Sequence, residues 1–330
     1  MSFSHKPTIA VTMGDVNGIG PEITLRALTD SAVLSSCCPI LLGSALIARK
    51  AAALIGSGVK INLIHHPQDA VSSMDVVNII EAGAYDEDSL RAGEVQALAG
   101  RMAADFIEKS IELSINGSVS AVATAPINKQ AIKLAGISEP GHTEIYETGS
   151  GSVRALTMFQ CGRLRVFFLS RHTSLRNAID LVTKENITNF LVDADFELRR
   201  LGIDNPFFAV AALNPHGSDD GLFGNEELRE IIPAVAEITA RGIKCKGPVS
   251  ADSVFHLAKE GRYDAVLSLY HDQGHIACKT LDFERTVALT LGLPFLRTSV
   301  DHGTAFDIAW KGVASAVSMT EAILVAAQYS

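Results

Sequence analysis

From residue 8 onward the chain alternates short, continuously apolar runs with longer stretches of helical period, and this alternation leaves few folds open. Thr8–Thr12 and the runs 39–42, 60–64, 76–80 and 118–123 are too short for helices and rich in apolar and β-branched residues, as strands are. Between them, Ala45–Leu54 is Ala-rich. The stretch 87–113 carries a broad apolar stripe through Leu90, Val95, Leu98, Met102, Phe106, Ile111 and Leu113. Such a pattern predicts an α/β architecture with helices on the faces of a sheet. Runs 156–160 and 163–169 flank Cys161-Gly162 as a tight antiparallel hairpin would, so a mixed sheet is expected. Pro233 inside the helical stretch 226–241 predicts a kink or a late start, and 306–328 reads as a terminal helix.

His172, His216 and His271 each follow one of these apolar runs: 166–170, 207–213 and 265–269. Residues just past strand ends collect at one rim of an α/β sheet, where ligands bind. Three imidazoles there could hold one divalent metal and leave a position open for substrate. Each histidine alone reads more readily as a polar residue at a loop start.

Further segments are dense in chemistry. Gly14-Asp15-Val16-Asn17-Gly18-Ile19-Gly20-Pro21-Glu22 joins the first strand to the first helix, without the G-x-G-x-x-G fingerprint; Asp15 could cap that helix. In Gly141-His142-Thr143-Glu144, His142 and Thr143 could donate to an oxyanion, or Thr143 could simply cap a helix. Asp272 is a candidate partner for an imidazole or a cap. Asp252 is a candidate cap or a carboxylate near the metal. Arg297, after the apolar run 293–296, could grip a carboxylate or phosphate at a strand end, and Lys279 is a candidate acid or base. Asp301-His302-Gly303-Thr304-Ala305-Phe306-Asp307-Ile308-Ala309 is a compact turn entering the last helix and suited to a nucleotide.

At 330 residues there is room for two domains, and the patterning suggests 1–130 plus 275–330 for one and 131–274 for the other. A net charge of −9 with no basic stripe argues against nucleic-acid binding. The five cysteines have no disulfide-framework spacing. No apolar run reaches the length of a membrane span and no signal core is visible, so a cytoplasmic protein is expected.

Six ordered motifs resemble the 4-hydroxythreonine-4-phosphate dehydrogenase (PdxA) family: Met13-Gly14-Asp15 through Glu22, Thr124-Ala125-Pro126-Ile127-Asn128-Lys129, Pro140-Gly141-His142-Thr143-Glu144, Asn214-Pro215-His216, Tyr270-His271-Asp272-Gln273-Gly274 and Arg297 through Ala305. The resemblance implies an isocitrate/isopropylmalate dehydrogenase-like fold of two α/β domains with a cleft, and a homodimer. It implies His172, His216 and His271 as ligands of one divalent metal (Zn, Co, Mn or Mg) at the subunit interface. His142, Thr143, Lys279 and Arg297 match the family's substrate-binding positions, and His302, Gly303, Thr304, Ala305 and Asp307 its adenosine turn for NAD or NADP.

One position departs. Where the biosynthetic members carry a substrate-contacting Asn, this chain has Ala288. Together with Gly221-Leu222-Phe223-Gly224 and Gly274-His275-Ile276, this is more similar to the branch of 4-phospho-D-threonate and 4-phospho-D-erythronate dehydrogenases. The expectation is therefore metal-dependent oxidation of a small phosphorylated hydroxy acid, with decarboxylation to dihydroxyacetone phosphate. The vitamin B6 step on 4-hydroxythreonine 4-phosphate is the alternative. A terephthalate cis-dihydrodiol substrate comes third, because Gly141-His142-Thr143-Glu144 is kept. The intact His172, His216, His271 and Lys279 argue against a non-catalytic binding protein.

Overall fold

The structure, a computed structural model, describes residues 6–152 and 154–330. Strands β1 (Thr8–Thr12), β2 (Cys38–Gly43), β3 (Lys60–Leu63), β4 (Val76–Glu81) and β5 (Ala121–Thr124) alternate with helices α1 (Gly20–Leu28), α2 (Ser31–Ser36), α3 (Ala45–Leu54) and α4 (Ala97–Ile115). Helices α5 (Lys129–Leu134) and α6 (His142–Ser150) follow. Then come β6 (Leu156–Cys161), β7 (Leu164–Phe168), α7 (Leu175–Asp180), α8 (Lys184–Arg200), β8 (Phe208–Ala211), α9 (Ile232–Ala240), β9 (Cys245–Val249), α10 (Ala251–Lys259), β10 (Ala265–Ser268) and α11 (His271–Leu281). The chain ends with β11 (Val287–Leu291), β12 (Leu296–Ser299) and α12 (Val317–Gln328).

Two compact units emerge, Met1–Ala155 with Val287–Ser330, and Leu156–Thr286. The patterning had placed the exchange points near 130 and 275. Helices α5 and α6 instead pack on α4 of the first unit, and α11 packs on β6 and β7 of the second.

In the first unit the strand order is β3-β4-β2-β1-β5-β12-β11, parallel except for the β11/β12 pair. Apolar side chains of β1, β2 and β5, among them Ala10, Ile40, Leu42 and Val122, pack with Ile107 of α4 and Tyr146 of α6 in one buried cluster. Successive strands lead outward in opposite directions from β1 and β5, so the crevice beyond their carboxyl ends is a switch point of the kind that receives ligands. Gly14 begins the turn there at φ +72°, and a side chain on it would run into the Pro126 carbonyl. In the second unit the order is β6-β7-β10-β8-β9, with β6/β7 the antiparallel hairpin expected around Gly162.

Three helical expectations shift for local reasons. Residues 90–96 are not helical: Gln96 Oε1 accepts from Arg91 N at 2.7 Å and from Asn17 Nδ2 at 2.8 Å, so the chain is drawn into a loop before α4. Residues 306–316 form turns, because Trp310 takes a left-handed φ of +59° and donates its indole N–H to Val16 O at 2.8 Å; α12 starts only at Val317. A π-helical turn, Glu227–Ile231, precedes α9, which places Pro233 in its tolerated first turn.

Candidate active site

In the first unit a buried cation organises the site. Arg297 is 4% exposed and lies within β12, not past a strand end as the apolar run suggested. Its Nε and Nη2 donate to Thr124 Oγ1 at 3.2 and 2.8 Å, and Nη1 donates to Thr290 Oγ1 at 3.0 Å. The guanidinium lies 5.3 Å from the centre of the Tyr146 ring. Burial lowers its pKa to about 10, against the opposing influence of Tyr146 and Glu144, so it remains a cation at neutral pH. Among the described residues its hydrogen bonds all go to hydroxyls, and no carboxylate pairs with it directly.

His142 opens α6 beside it. Gly141, not Thr143, occupies the cap position, so His142 and Thr143 are the first two helical residues, where backbone N–H groups have no partner within the helix. The His142 ring stacks on Tyr146 with centroids 6.4 Å apart, and its Nε2 is buried with no hydrogen-bond partner. Burial, then the charges of Arg297 and Lys129, hold its pKa well below the usual histidine range. A buried cation and an orphaned ring nitrogen are each costly alone. An anion with several oxygens would satisfy both.

Ala288 is on the same sheet face. It pairs with Ser299 across the β11/β12 ladder, two residues from the Thr290–Arg297 pair, and side chains two apart share a face.

The loop carrying His302, Gly303, Thr304, Ala305 and Asp307 is pinned to the first glycine-rich turn. Ile19 N donates to Thr304 O at 3.0 Å, and a side chain on Gly18 would come within 2.8 Å of Thr304 Cβ. Thr304 is buried, whereas Gly303 is exposed with open space where a side chain would be, so the turn offers bare backbone to a ligand. Asp15 does not cap α1. Its Oδ1 accepts from Asn17 N at 2.9 Å, and burial pushes its pKa up to about 6, a rise the Asn17 hydrogen bond partly offsets.

In the second unit the three histidines follow β7, β8 and β10, which are adjacent and parallel, so their carboxyl ends share one sheet edge. Cross-links hold that edge together. Ser170 Oγ donates to Leu269 O at 2.9 Å, and the Gln273 side chain accepts from Leu269 N at 2.7 Å and donates to Ala212 O at 2.8 Å. His172 and His271 line one pocket of about 470 Å³ with ring centroids 6.1 Å apart. Asp272 does not cap α11; its carboxylate meets His271 Nδ1 at 2.6 Å, the arrangement that orients a metal-binding imidazole and leaves Nε2 outward. His275 stacks on His271 at 3.7 Å.

His216 sits in the turn Pro215–Ser218 at φ +54°. Buried Glu227 fixes the approach to it by accepting from Leu213 N and Asn214 N at 2.9 and 2.7 Å. Among the described residues of this single chain, no group of three His, Cys, Asp or Glu could hold a metal ion. Asp252 is an exposed residue in the first turn of α10, with Ser250 at the cap position. It lines an apolar hollow of about 650 Å³ with Tyr270 and Gln273. Lys279 Nζ lies 5.2 Å from the Phe283 ring centre.

The chain is an α/β protein in which buried Arg297 lies beside His142 in one unit and three histidines follow neighbouring strands in the other. The sequence pattern described as "Pyridoxal phosphate biosynthetic protein PdxA" matches residues 35–326, and the chain belongs to this family of dehydrogenases acting on a hydroxyl group. Two relatives carry the name "Putative D-threonate 4-phosphate dehydrogenase". One, from Clostridium botulinum, is 48% identical over 99% of this chain and 98% of its own. The other, from Symbiobacterium thermophilum, is 49% identical over 98% and 97%. The crystal structure of 4-hydroxythreonine-4-phosphate dehydrogenase from Klebsiella pneumoniae superposes with a TM-score of 0.90 at 43% identity, covering 97% of this chain and 98% of that one. The α/β mixed-sheet architecture is thus that of the family. No helix among the described residues is long and apolar enough to cross a membrane.

Proposed function

We propose that the chain oxidises the C3 hydroxyl of 4-phospho-D-threonate or 4-phospho-D-erythronate with NAD or NADP, and that the resulting 3-keto acid loses carbon dioxide to leave dihydroxyacetone phosphate. The carrying observation is buried Arg297, hydrogen-bonded to hydroxyls and paired with no carboxylate, beside the orphaned Nε2 of His142. In this reading, His142, Thr143 and Arg297 bind anionic groups of the substrate, with the phosphate at His142 and Thr143. Lys279 and Asp252 are the candidate acid–base groups at the reacting carbons. The turn from His302 to Asp307 receives the cofactor.

The imidazoles fit a divalent metal (Zn, Co, Mn or Mg): two share a pocket and His271 is already oriented by Asp272. We place it on His172, His216 and His271, shared between subunits of a homodimer. When bound, it supplies Lewis acidity that lowers the pKa of a coordinated hydroxyl.

The names of the Clostridium and Symbiobacterium relatives favour a phosphotetronate, as does Ala288, which offers no side-chain hydrogen bond to an amino substrate. The name of the Klebsiella enzyme supports the second reading, 4-hydroxythreonine 4-phosphate.

The test compares NAD reduction on the two phosphotetronates and 4-hydroxythreonine 4-phosphate, with divalent metal added. Preference for a phosphotetronate with dihydroxyacetone phosphate as product is expected; preference for the amino substrate would overturn the reading. Ala288→Asn should shift the ratio of kcat/KM values toward the amino substrate by roughly tenfold, the scale of one hydrogen bond.

A further inference from the structure

Arg297 donates three of its five N–H groups to two threonine hydroxyls, which fixes what remains for a ligand. Nε and Nη2 each give one to Thr124 and Nη1 gives one to Thr290, so one N–H is left on each terminal nitrogen. Two donors on neighbouring nitrogens match two oxygens of one carboxylate or phosphate. We propose that Thr124 and Thr290 are positioning residues that hold Arg297 in this orientation for an anionic group of the substrate. The proposal rests on the anion-binding reading of Arg297 given above.

Strand register makes the clamp. Thr290 faces Arg297 directly across the antiparallel β11/β12 ladder. Arg297 pairs with Val122 of β5, and Thr124, two residues further on, shares that face. Thr124 Oγ1 also donates to Thr298 O at 3.2 Å. Its single proton and both lone pairs are then engaged, so the hydroxyl cannot turn without losing a bond. The Tyr146 ring lies against the guanidinium and limits its tilt.

The choice of hydroxyls matters for charge. A carboxylate at either position would hold the guanidinium as firmly, but it would neutralise the cation that the substrate must meet. Threonines supply geometry and add no opposing charge of their own. Both are buried, as is Arg297, so the arrangement exists before any ligand arrives.

The test uses the full-length, metal-supplemented enzyme with Thr124→Val, Thr290→Val, Thr124→Ser and Arg297→Ala. Steady-state kinetics would be read alongside calorimetric binding of 4-phospho-D-threonate and of inorganic phosphate. Thr124→Val should weaken substrate about tenfold in KM and Kd, and Thr290→Val about threefold, the scale of hydrogen bonds to a charged group. The KM for NAD should stay within about twofold, and Thr124→Ser should recover most of the loss. A folded Thr124→Val or Thr290→Val with unchanged substrate affinity, while Arg297→Ala weakens it, would refute the clamp and leave the anion reading standing. Unchanged affinity in Arg297→Ala would remove the anion reading itself. Parallel losses for substrate and NAD, not rescued by serine, would mean that the threonines only support the fold. If Thr124→Val does not fold, Thr290→Val and Thr124→Ser decide.

Discussion

Arg297 and His142 of the first unit are held among buried partners, whereas His172 and His216 of the second unit stand exposed at loop positions. The proposed anion receptor is held by strands, β5 and β11 carrying its hydroxyls and β12 its Arg297, with the N-terminus of α6 beside it. The histidine edge gains order from cross-links behind it, Gln273 between two strand ends and Glu227 under the Asn214 turn, while its imidazoles remain outward. Preorganised binding groups lower the cost of capturing a ligand. Ligands that face outward can be completed by something added, a metal or a second subunit.

The contrast can be broken most severely at the histidine edge. His216→Ala should abolish turnover and metal retention, a loss of at least a thousandfold in kcat with the fold intact by circular dichroism. Full activity in that variant would dismiss the three-histidine site. In the anion receptor the effect should be smaller and confined to affinity. Thr143→Ala should raise KM for the phosphorylated substrate roughly tenfold and leave that for NAD unchanged; equal rises in both would refute the assignment.

The smallest effect concerns stability. Burial raises the Asp15 pKa to about 6, above its unfolded value of 3.8. The group therefore contributes its stability fully below the unfolded pKa and loses it as pH rises through 6. At pH 8 the buried carboxylate costs about 3 kcal/mol. Asp15→Asn, which keeps an acceptor for Asn17 N, should raise Tm by roughly 5 °C at pH 8 and leave it unchanged at pH 4. An equal shift at both pH values would point to packing instead of charge.

The two regions also differ in how legible they were in the sequence. The histidine edge could be anticipated because each histidine follows a short apolar run, and the runs are local signals for β7, β8 and β10. That these strands are neighbours is a matter of long-range pairing, which no window of sequence contains. The clamp around Arg297 was invisible for the same reason. Thr124 lies 173 residues from Arg297, and only the β5/β12 register brings them together. Arg297 itself was expected just past a strand, because the run 293–296 looked like the strand; in fact β12 begins only at Leu296. The segment 306–316 misled in the opposite way. Its composition suits a helix, but the Trp310 hydrogen bond to Val16 and the left-handed backbone there favour turns. Lys129 lies within a family motif, but Tyr146 carries no local mark of function, and only its placement beside His142 reveals it.

Burial and the charges of Arg297 and Lys129 favour the neutral form of His142, while Arg297 stays cationic at neutral pH. The proposed receptor therefore depends less on its own ionisation than most histidine-containing sites do. A phosphate monoester gains its second negative charge near pH 6. Sensitivity to acidity then belongs to the guest and not to the host. Affinity would follow the ionisation of the ligand, and a sulfate-bearing analogue, already fully ionised, would bind without that pH dependence.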